Sequence, residues 1–419
     1  MTKYKIIGNM TGNSMDAIDL VLTEFEDDKM RDICSFTKPY QKDMQEKMDY
    51  LRGLVRQKTR AQIMSVPDFQ LIHDEYVCQI ADCINEMCQK NQIDKSGVSG
   101  IGFHGKTLDH NPPSIDPKSP YTLQIGSGQM LADLTGIPVV YDFRSDFIMN
   151  GFDGAPLVPP HNAHIAASEG DGCYYNGGNT SNFAWVSGGR AILGSDAGPF
   201  NEYTDAFIRN HTSDCYDNDG KYGSNGKLDK DLLQKLFNIG RKFYETRLPK
   251  SGDPQYYYKD QVFELTKNVN FNDGVHTLEY FAAYIAVQAL TLTDFKVPLS
   301  PRFILFGGGW KNPVVRQSFE DLISGKGFVL PEHRKQFSDF WTRFNQKTVI
   351  KYSAFGEMME ARLFADLARY KLEGRCWEIP EVIQAQKEIL CGRTALPGKN
   401  RDKYTDCINR ACFGWQNEI

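Results

Sequence analysis

The sequence predicts an α/β protein of two duplicated mixed-sheet lobes facing one central cleft. Three observations carry this. Residues 3–37 read as strand, Gly/Asn/Ser turn, strand, strand, and residues 173–193 repeat that order. A third Gly-rich junction, Gly307-Gly308-Gly309, follows the short apolar run Phe303–Phe306. At 419 residues the chain exceeds what one core usually fills, so two domains are expected.

In chain order, Lys3–Ile7 is a β-type run that breaks at Gly8-Asn9-Met10-Thr11-Gly12-Asn13-Ser14. Ala17–Phe25 resumes with Ile18, Leu20 and Leu22 on one face, and a strand near Ile33–Thr37 completes a meander. The turn between the first two strands can present several N–H groups to phosphate oxygens. An ordinary hairpin turn would use the same residues. Met44, Met48, Leu51 and Val55 recur at helical spacing, as do Phe69, Ile72, Tyr76, Ile80, Cys83 and Met87. Val98–Phe103 is a buried strand that delivers His104 at its carboxyl end, where open α/β sheets line their ligand crevice. A satisfied core histidine is the equal alternative. Leu123–Gly136 reads as strand, Gly-rich turn and short helix, and Ile137–Phe143 as a strand ending in Asp142-Phe143-Arg144-Ser145-Asp146. An Arg between acids can fork onto a polyol or carboxylate, or belong to an ion-pair cluster. His161 and His164 lie three apart, close enough to chelate a metal, although packing or capping is the stronger reading.

The second half echoes the first. Cys173–Tyr175 breaks at Asn176-Gly177-Gly178-Asn179-Thr180-Ser181, Asn182–Val186 resumes, and Arg190–Leu193 is the third strand. Gly194, Gly198 and Pro199 then put Asp196 on a tight turn at a strand's end, with a helix from Asn201. Asp196 there can face a cleft, or simply serve a turn or helix cap. Thr277–Leu292 is an apolar, buried helix. Gly307–Gly309 at a strand-to-helix junction lets a flat base or ribose lie against backbone. Gly356–Gly374 is a helix with Met359, Leu363, Phe364 and Leu367 on one side and Glu360 near its start. Arg375–Ile419 reads only as mixed helix and loop. We place the lobes at 1–140 plus 356–419, with the C-terminal helix returning, and at 141–355.

Composition narrows the class. A net charge of −5 gives no support to a nucleic-acid groove or a membrane patch. No apolar run is long enough to span a bilayer, and Met1–Met10 lacks the regions of a signal peptide. The ten cysteines are scattered without metal-site spacing, so a reduced, cytoplasmic protein is expected.

Several segments then converge. GNSMDAID at Gly12–Asp19, GFHGKT at Gly102–Thr107, and TGIPVVYDFRSD with GAPLVPPH within Thr135–His161 stand in order. DAGPFN at Asp196–Asn201, RLPKS at Arg247–Ser251, Gly307–Pro313 and EARLFA at Glu360–Ala365 follow. Together they resemble the anhydro-N-acetylmuramic acid kinases, a family that includes the levoglucosan kinases, over most of residues 6–374. The resemblance implies an actin-like ATPase (ribonuclease H-like) fold and an ATP- and Mg²⁺-dependent transfer onto O6 of a 1,6-anhydro sugar, with water opening the bridge. It makes Asp196 the catalytic base and Asp16 and Glu360 the magnesium-binding acids. Gly12, Asn13, Ser14, Met15 and Asp16, with Gly177, Gly178 and Asn179, would hold phosphates. Gly307, Gly308, Gly309 and Asn312 would hold the adenosine, and His104, Asp142, Arg144 and Gly198 the sugar. It also implies a small-molecule sugar as partner and a homodimer. The chain departs from the family pattern at Asn13, Ala17, Lys106, Ala197 and Phe200, and in the turn Asn176–Asn182. Phe200 would reshape or obstruct the sugar pocket, and Lys106 would meet the lactyl carboxylate. A kinase for another sugar and a non-catalytic nucleotide-binding relative therefore stay as alternatives.

Overall fold

A computed structural model describes residues 3–12, 15, 17–27, 29–251, 259–293, 300–344, 348–378, 388–398 and 405–417. Asn13, Ser14 and Asp16, three of the residues assigned to phosphate or metal, lie outside them. The chain forms two compact units, one of Met1–Leu157 with Met358–Ile379 and Gln386–Ile419, the other of Val158–Glu357 with Pro380–Ala385.

The first unit opens with β1 (Lys3–Thr11), β2 (Ala17–Glu26) and β3 (Lys29–Pro39), an antiparallel meander. Helices α1 (Lys42–Val55), α2 (Arg60–Met64) and α3 (Phe69–Lys90) follow, then β4 (Gly100–Phe103). A hairpin, β5 (Lys106–Asn111) and β6 (Tyr121–Ile125), leads to α4 (Gly128–Thr135), β7 (Val139–Tyr141) and α5 (Phe143–Met149). β4 joins β1 in parallel, and β7 joins β4 in parallel. The two-residue period of the strands assigns the faces. Ile7 and its neighbour Ile101 belong to a core with Met44, Met48, Phe69 and Tyr76 of α1 and α3.

The second unit repeats the plan. After α6 (Val158–Glu169) come β8 (Gly172–Gly177), β9 (Thr180–Ser187) and β10 (Arg190–Pro199), again an antiparallel meander. Then come α7 (Glu202–His211), α8 (Lys230–Tyr244), α9 (Lys259–Thr266) and α10 (Phe271–Thr291). β11 (Arg302–Phe306) pairs in parallel with β8. α11 (Pro313–Ile323), α12 (Arg334–Phe344) and β12 (Val349–Tyr352) complete the unit, with β12 parallel to β11. α10 is buried over nearly its whole length and forms the spine of this core.

The chain then returns to the first unit as α13 (Met359–Glu373). This helix lies against the sheet face opposite α1 and α3. Gly8 and Gly102 are neighbours there, and a Cβ on either would overlap the carbonyl oxygen of Ala361 or Phe364. Short strands β13 (Trp377–Glu378), β14 (Glu388–Ile389) and β15 (Arg393–Ala395) follow, β15 pairing with β7. Residues 405–417, expected to mix helix and loop, run instead beside β6, with one bridge from Ile408 to Ile125 and a final turn at Trp415–Asn417.

The sheets thus share one order, β3-β2-β1-β4-β7 and β10-β9-β8-β11-β12. Three antiparallel strands with two parallel strands added beside the first make the ribonuclease H-like sheet. Its duplication is the actin-like ATPase fold.

Two local expectations need correction. β10 does not stop at Leu193 but runs through Asp196 to Pro199, with an irregularity between Asp196 and Gly198. It is an edge strand, so Pro199 removes no ladder partner, and a bulge absorbs Gly198 at φ +154°. Phe143–Met149, read as a polar strand end, is a helix preceded by Asp142 in the left-handed region at φ 58°.

Candidate active site

In the first unit β1 ends in the turn that begins at Gly12. Met15, at φ 54° and buried, donates its N–H to the Gly12 carbonyl over 3.3 Å. The Lys106 ammonium donates to the same carbonyl at 2.7 Å, and Gln45 holds the Met15 carbonyl at 2.7 Å. Behind the turn, the Thr11 hydroxyl meets the buried hydroxyls of Tyr40, at 2.9 Å, and Tyr76, at 3.3 Å. Lys106 is fully buried, so it braces this turn instead of waiting for a ligand's carboxylate.

His104, delivered by β4 as expected, is paired with Arg144 of α5. The Arg144 Nε–H donates to His104 Nε2 at 3.1 Å, and Arg144 Nη1 donates to the Gly154 carbonyl at 2.6 Å. Burial, with the Arg144 and Lys106 cations adding to it, holds the imidazole well below its ordinary pKa. The ring is therefore neutral, and accepting at Nε2 puts its proton on Nδ1. Arg144 is half-buried, while Asp142 is nearly enclosed and spoken for. Its carboxylate accepts from Arg410 Nε at 2.7 Å, and Asp146 accepts from Arg410 Nη2 at 2.8 Å. Burial pushes Asp142 up, with Arg410 opposing. Glu360 stands half-exposed in the first turn of α13.

In the second unit three predicted segments meet. The turn Gly177–Asn179 joins β8 to β9, and the chain after β10 bonds back to it, Phe200 N–H to the Asn179 carbonyl at 2.8 Å and Asn201 N–H to the Gly178 carbonyl at 3.1 Å. Gly307, at φ +96°, lies against this turn, since a Cβ there would come within 2.6 Å of Asn176 and 2.8 Å of the Gly177 carbonyl. Gly308 and Gly309 enter a short 3₁₀ turn, and Asn312 caps α11 through Val314 N–H at 2.9 Å and Val315 N–H at 3.2 Å. Phe200 lies in the core. Its ring is buried against Trp310 at 4.7 Å between centroids, and Gly177 and Gly309 leave the space it fills. Ala197 is also wholly buried.

Asp196 sits half-buried at the irregularity of β10, opposite Asn182, beside Gly198. Its N–H donates to the Lys250 carbonyl at 2.9 Å, and Lys250 N–H donates to the Ser195 hydroxyl at 2.9 Å. The buried Lys250 ammonium donates to the carbonyls of Phe243 at 2.9 Å and Tyr244 at 2.8 Å, at the end of α8. Burial lowers it to about 7, with Asp196 pulling the other way. The RLPKS motif signalled this residue without disclosing its contacts. His161 and His164 lie one turn apart on α6, His161 fully buried.

Comparison with known proteins now decides the family. The family described as anhydro-N-acetylmuramic acid kinase matches residues 4–396. The chain belongs to that family. It is similar to the anhydro-N-acetylmuramic acid kinase of Paramagnetospirillum magneticum, with 30% identity over 93% of this chain and 99% of the relative. The enzyme of that name from Vibrio vulnificus is 28% identical over 92% and 96%. Among solved structures, component A of (R)-2-hydroxyglutaryl-CoA dehydratase from Acidaminococcus fermentans aligns over 89% of this chain and 100% of its own at 11% identity, with a TM-score of 0.43.

This kinase is thus an ATP-dependent enzyme acting on a small-molecule sugar. Among its described residues no helix is long and apolar enough to cross a membrane. Glu360 is a half-exposed carboxylate, the hard oxygen donor type that Mg²⁺ takes.

Proposed function

We propose that this kinase phosphorylates 1,6-anhydro-N-acetylmuramic acid, hydrolysing the anhydro bridge as it does so, for the cytoplasmic recycling of cell-wall sugars. Water adds to the anomeric carbon and gives a proton to Asp196. The C1–O6 bond breaks, and O6 takes the γ-phosphoryl group of ATP, leaving ADP and N-acetylmuramic acid 6-phosphate. Gly177–Asn179 contributes backbone to the phosphates and Gly307–Asn312 to the adenosine, while the turn after Gly12 holds phosphate in its own unit. His104 and Arg144 recognise the sugar, the neutral imidazole fixing the orientation of the guanidinium through its Nε. Asp16 and Glu360 would hold Mg²⁺. That ion supplies charge neutralisation for the phosphates.

The observation that carries this reading is Asp196. It is a half-buried carboxylate at a bulge, clamped through its backbone by Lys250, in a strand whose end bonds to the Gly177–Asn179 turn. The side chains of Phe200 and Ala197, which raised the case for a different sugar, lie in the core, and this supports the same reading.

ADP release is the test, with anhydro-N-acetylmuramic acid, levoglucosan, N-acetylmuramic acid and glucose as substrates. Turnover is expected on the first, and Asp196→Asn should lower kcat by about 10²–10⁴ while ATP still binds. Turnover on levoglucosan alone, or an Asp196→Asn variant of full activity, would overturn the assignment. Light scattering checks the expected homodimer.

A further inference from the structure

We propose that the segment 405–417 is a strap that sets Arg144 for sugar recognition, with Arg410 as its positioning residue. The inference rests on the reading of Arg144 as a sugar-facing group. It concerns a stretch beyond the residues 4–396 matched by the family.

Three consecutive strap residues take hold of α5 on both sides of Arg144. Arg410 reaches Asp142 through Nε at 2.7 Å and through its backbone N–H at 3.3 Å, and Asp146 through Nη2 at 2.8 Å. Asn409 Nδ2 and the Ala411 N–H both donate to the Ser145 hydroxyl, at 2.9 and 3.0 Å. Residues 142, 145 and 146 are thereby fixed, and Arg144 is carried among them. The grip has a backbone consequence. Asp142 enters the helix in the left-handed region, which a residue with a Cβ holds only under constraint, and Arg410 bonds the side chain of that residue.

The strap is itself anchored along its length. Cys407, Asn409 and Ala411 exchange backbone hydrogen bonds with Gly126, Gln124 and Thr122 at 2.8–3.1 Å. Asp406 accepts from the Ser127 hydroxyl and, at 2.9 Å, from Gln129 N–H at the start of α4. Asp406 and Asn409 also line the small cavity, ≈ 10 Å³, that borders His104 and Asp142. The strap therefore holds the residues that flank Arg144 and shares a cavity wall with His104. A forked contact to two carboxylates requires a guanidinium; an ammonium is a point charge and cannot reproduce it.

The test uses the full chain with Arg410→Lys and Arg410→Ala, assayed at saturating ATP, with thermal melts to confirm folding. Arg410→Lys should raise the sugar KM about ten-fold, on the scale expected when a binding group is displaced, with the ATP KM unchanged. Added guanidinium ion should restore the sugar KM of Arg410→Ala, because the Arg410 side chain is about one-third exposed (32%) and its site can be reached from solvent. Folded variants that keep the wild-type sugar KM would overturn the proposal. Should the wild-type protein turn over none of the four sugars, the functional reading falls by itself. The strap is then judged by nitrogen NMR of His104, assigned with His104→Asn. A loss of the fixed Nδ1–H form in Arg410→Lys supports it, and an unchanged spectrum refutes it.

Discussion

Glu279 offers a sharp test of how the second unit is built. It lies within α10, 1% exposed, directly below the Gly307–Asn312 junction. Asn312 Nδ2 donates to Glu279 Oε1 at 2.6 Å, while Asp217 receives Tyr222 and Gly223 N–H at 2.9 Å each. Burial first, then the hydrogen-bonded carboxyl of Asp217, pushes Glu279 from 4.5 up to about 9. At neutral pH it is a carboxylic acid whose proton serves Asp217. The folded state thus keeps a proton that the unfolded chain has released. The contribution of Glu279 to wild-type stability therefore falls as pH rises from 4.5 to about 9, then levels off. Glutamine has the same shape, accepts from Asn312 and donates to Asp217, and has no proton to lose. Glu279→Gln should therefore exceed wild type by about 2 kcal/mol at pH 6 and about 5 kcal/mol at pH 8. Urea unfolding at the two pH values, followed by tryptophan fluorescence, measures the difference. Parallel stabilities at pH 6 and 8 would refute the idea of a protonated Glu279.

Two further outcomes follow from the packing. Lys250 contributes in the opposite sense. Its ammonium is held to about 7 in the fold against an ordinary 10.5, so its contribution to stability rises between those values, and Lys250→Met should lack this rise in the same urea assay. Its kcat should fall less than that of Asp196→Asn, because the backbone bonds to Ser195 and Asp196 remain. Gly102→Ala places a methyl into the Phe364 carbonyl, and neither a strand nor a helix backbone yields easily. It should cost about 3 kcal/mol or more, read as a lowered melting temperature; a variant as stable as wild type would mean α13 does not seat on this face.

Much of this fold is legible in the sequence because strands announce themselves by alternation and turns by glycine. The meander of residues 3–37 and its echo at 173–193 are both present, only longer, since ladder pairing extends strands past the point where propensity fades. Asp196 was harder to read. Two glycines and a proline look like a stop, yet on an edge strand with a bulge they are tolerated. α5 was hidden because Asp142 begins it from a left-handed conformation that composition does not advertise. Arg410, which grips Asp142, was hidden for another reason: it stands 268 residues away, and no local pattern links an Arg to an acid at that distance.

The departures from the family pattern become intelligible once their depth is known. Lys106 and Phe200 each lie behind a Gly-rich turn. Lys106 props the Gly12 carbonyl from a fully buried position. Phe200 wedges beneath Gly177 and Gly309, where an alanine at either glycine would collide with its ring at 2.7 Å. Residues behind such a turn can vary only in ways that keep its geometry. On that argument Phe200 and the two glycines form one unit: shrinking the ring opens a cavity under both turns, and enlarging either glycine drives the turns off it.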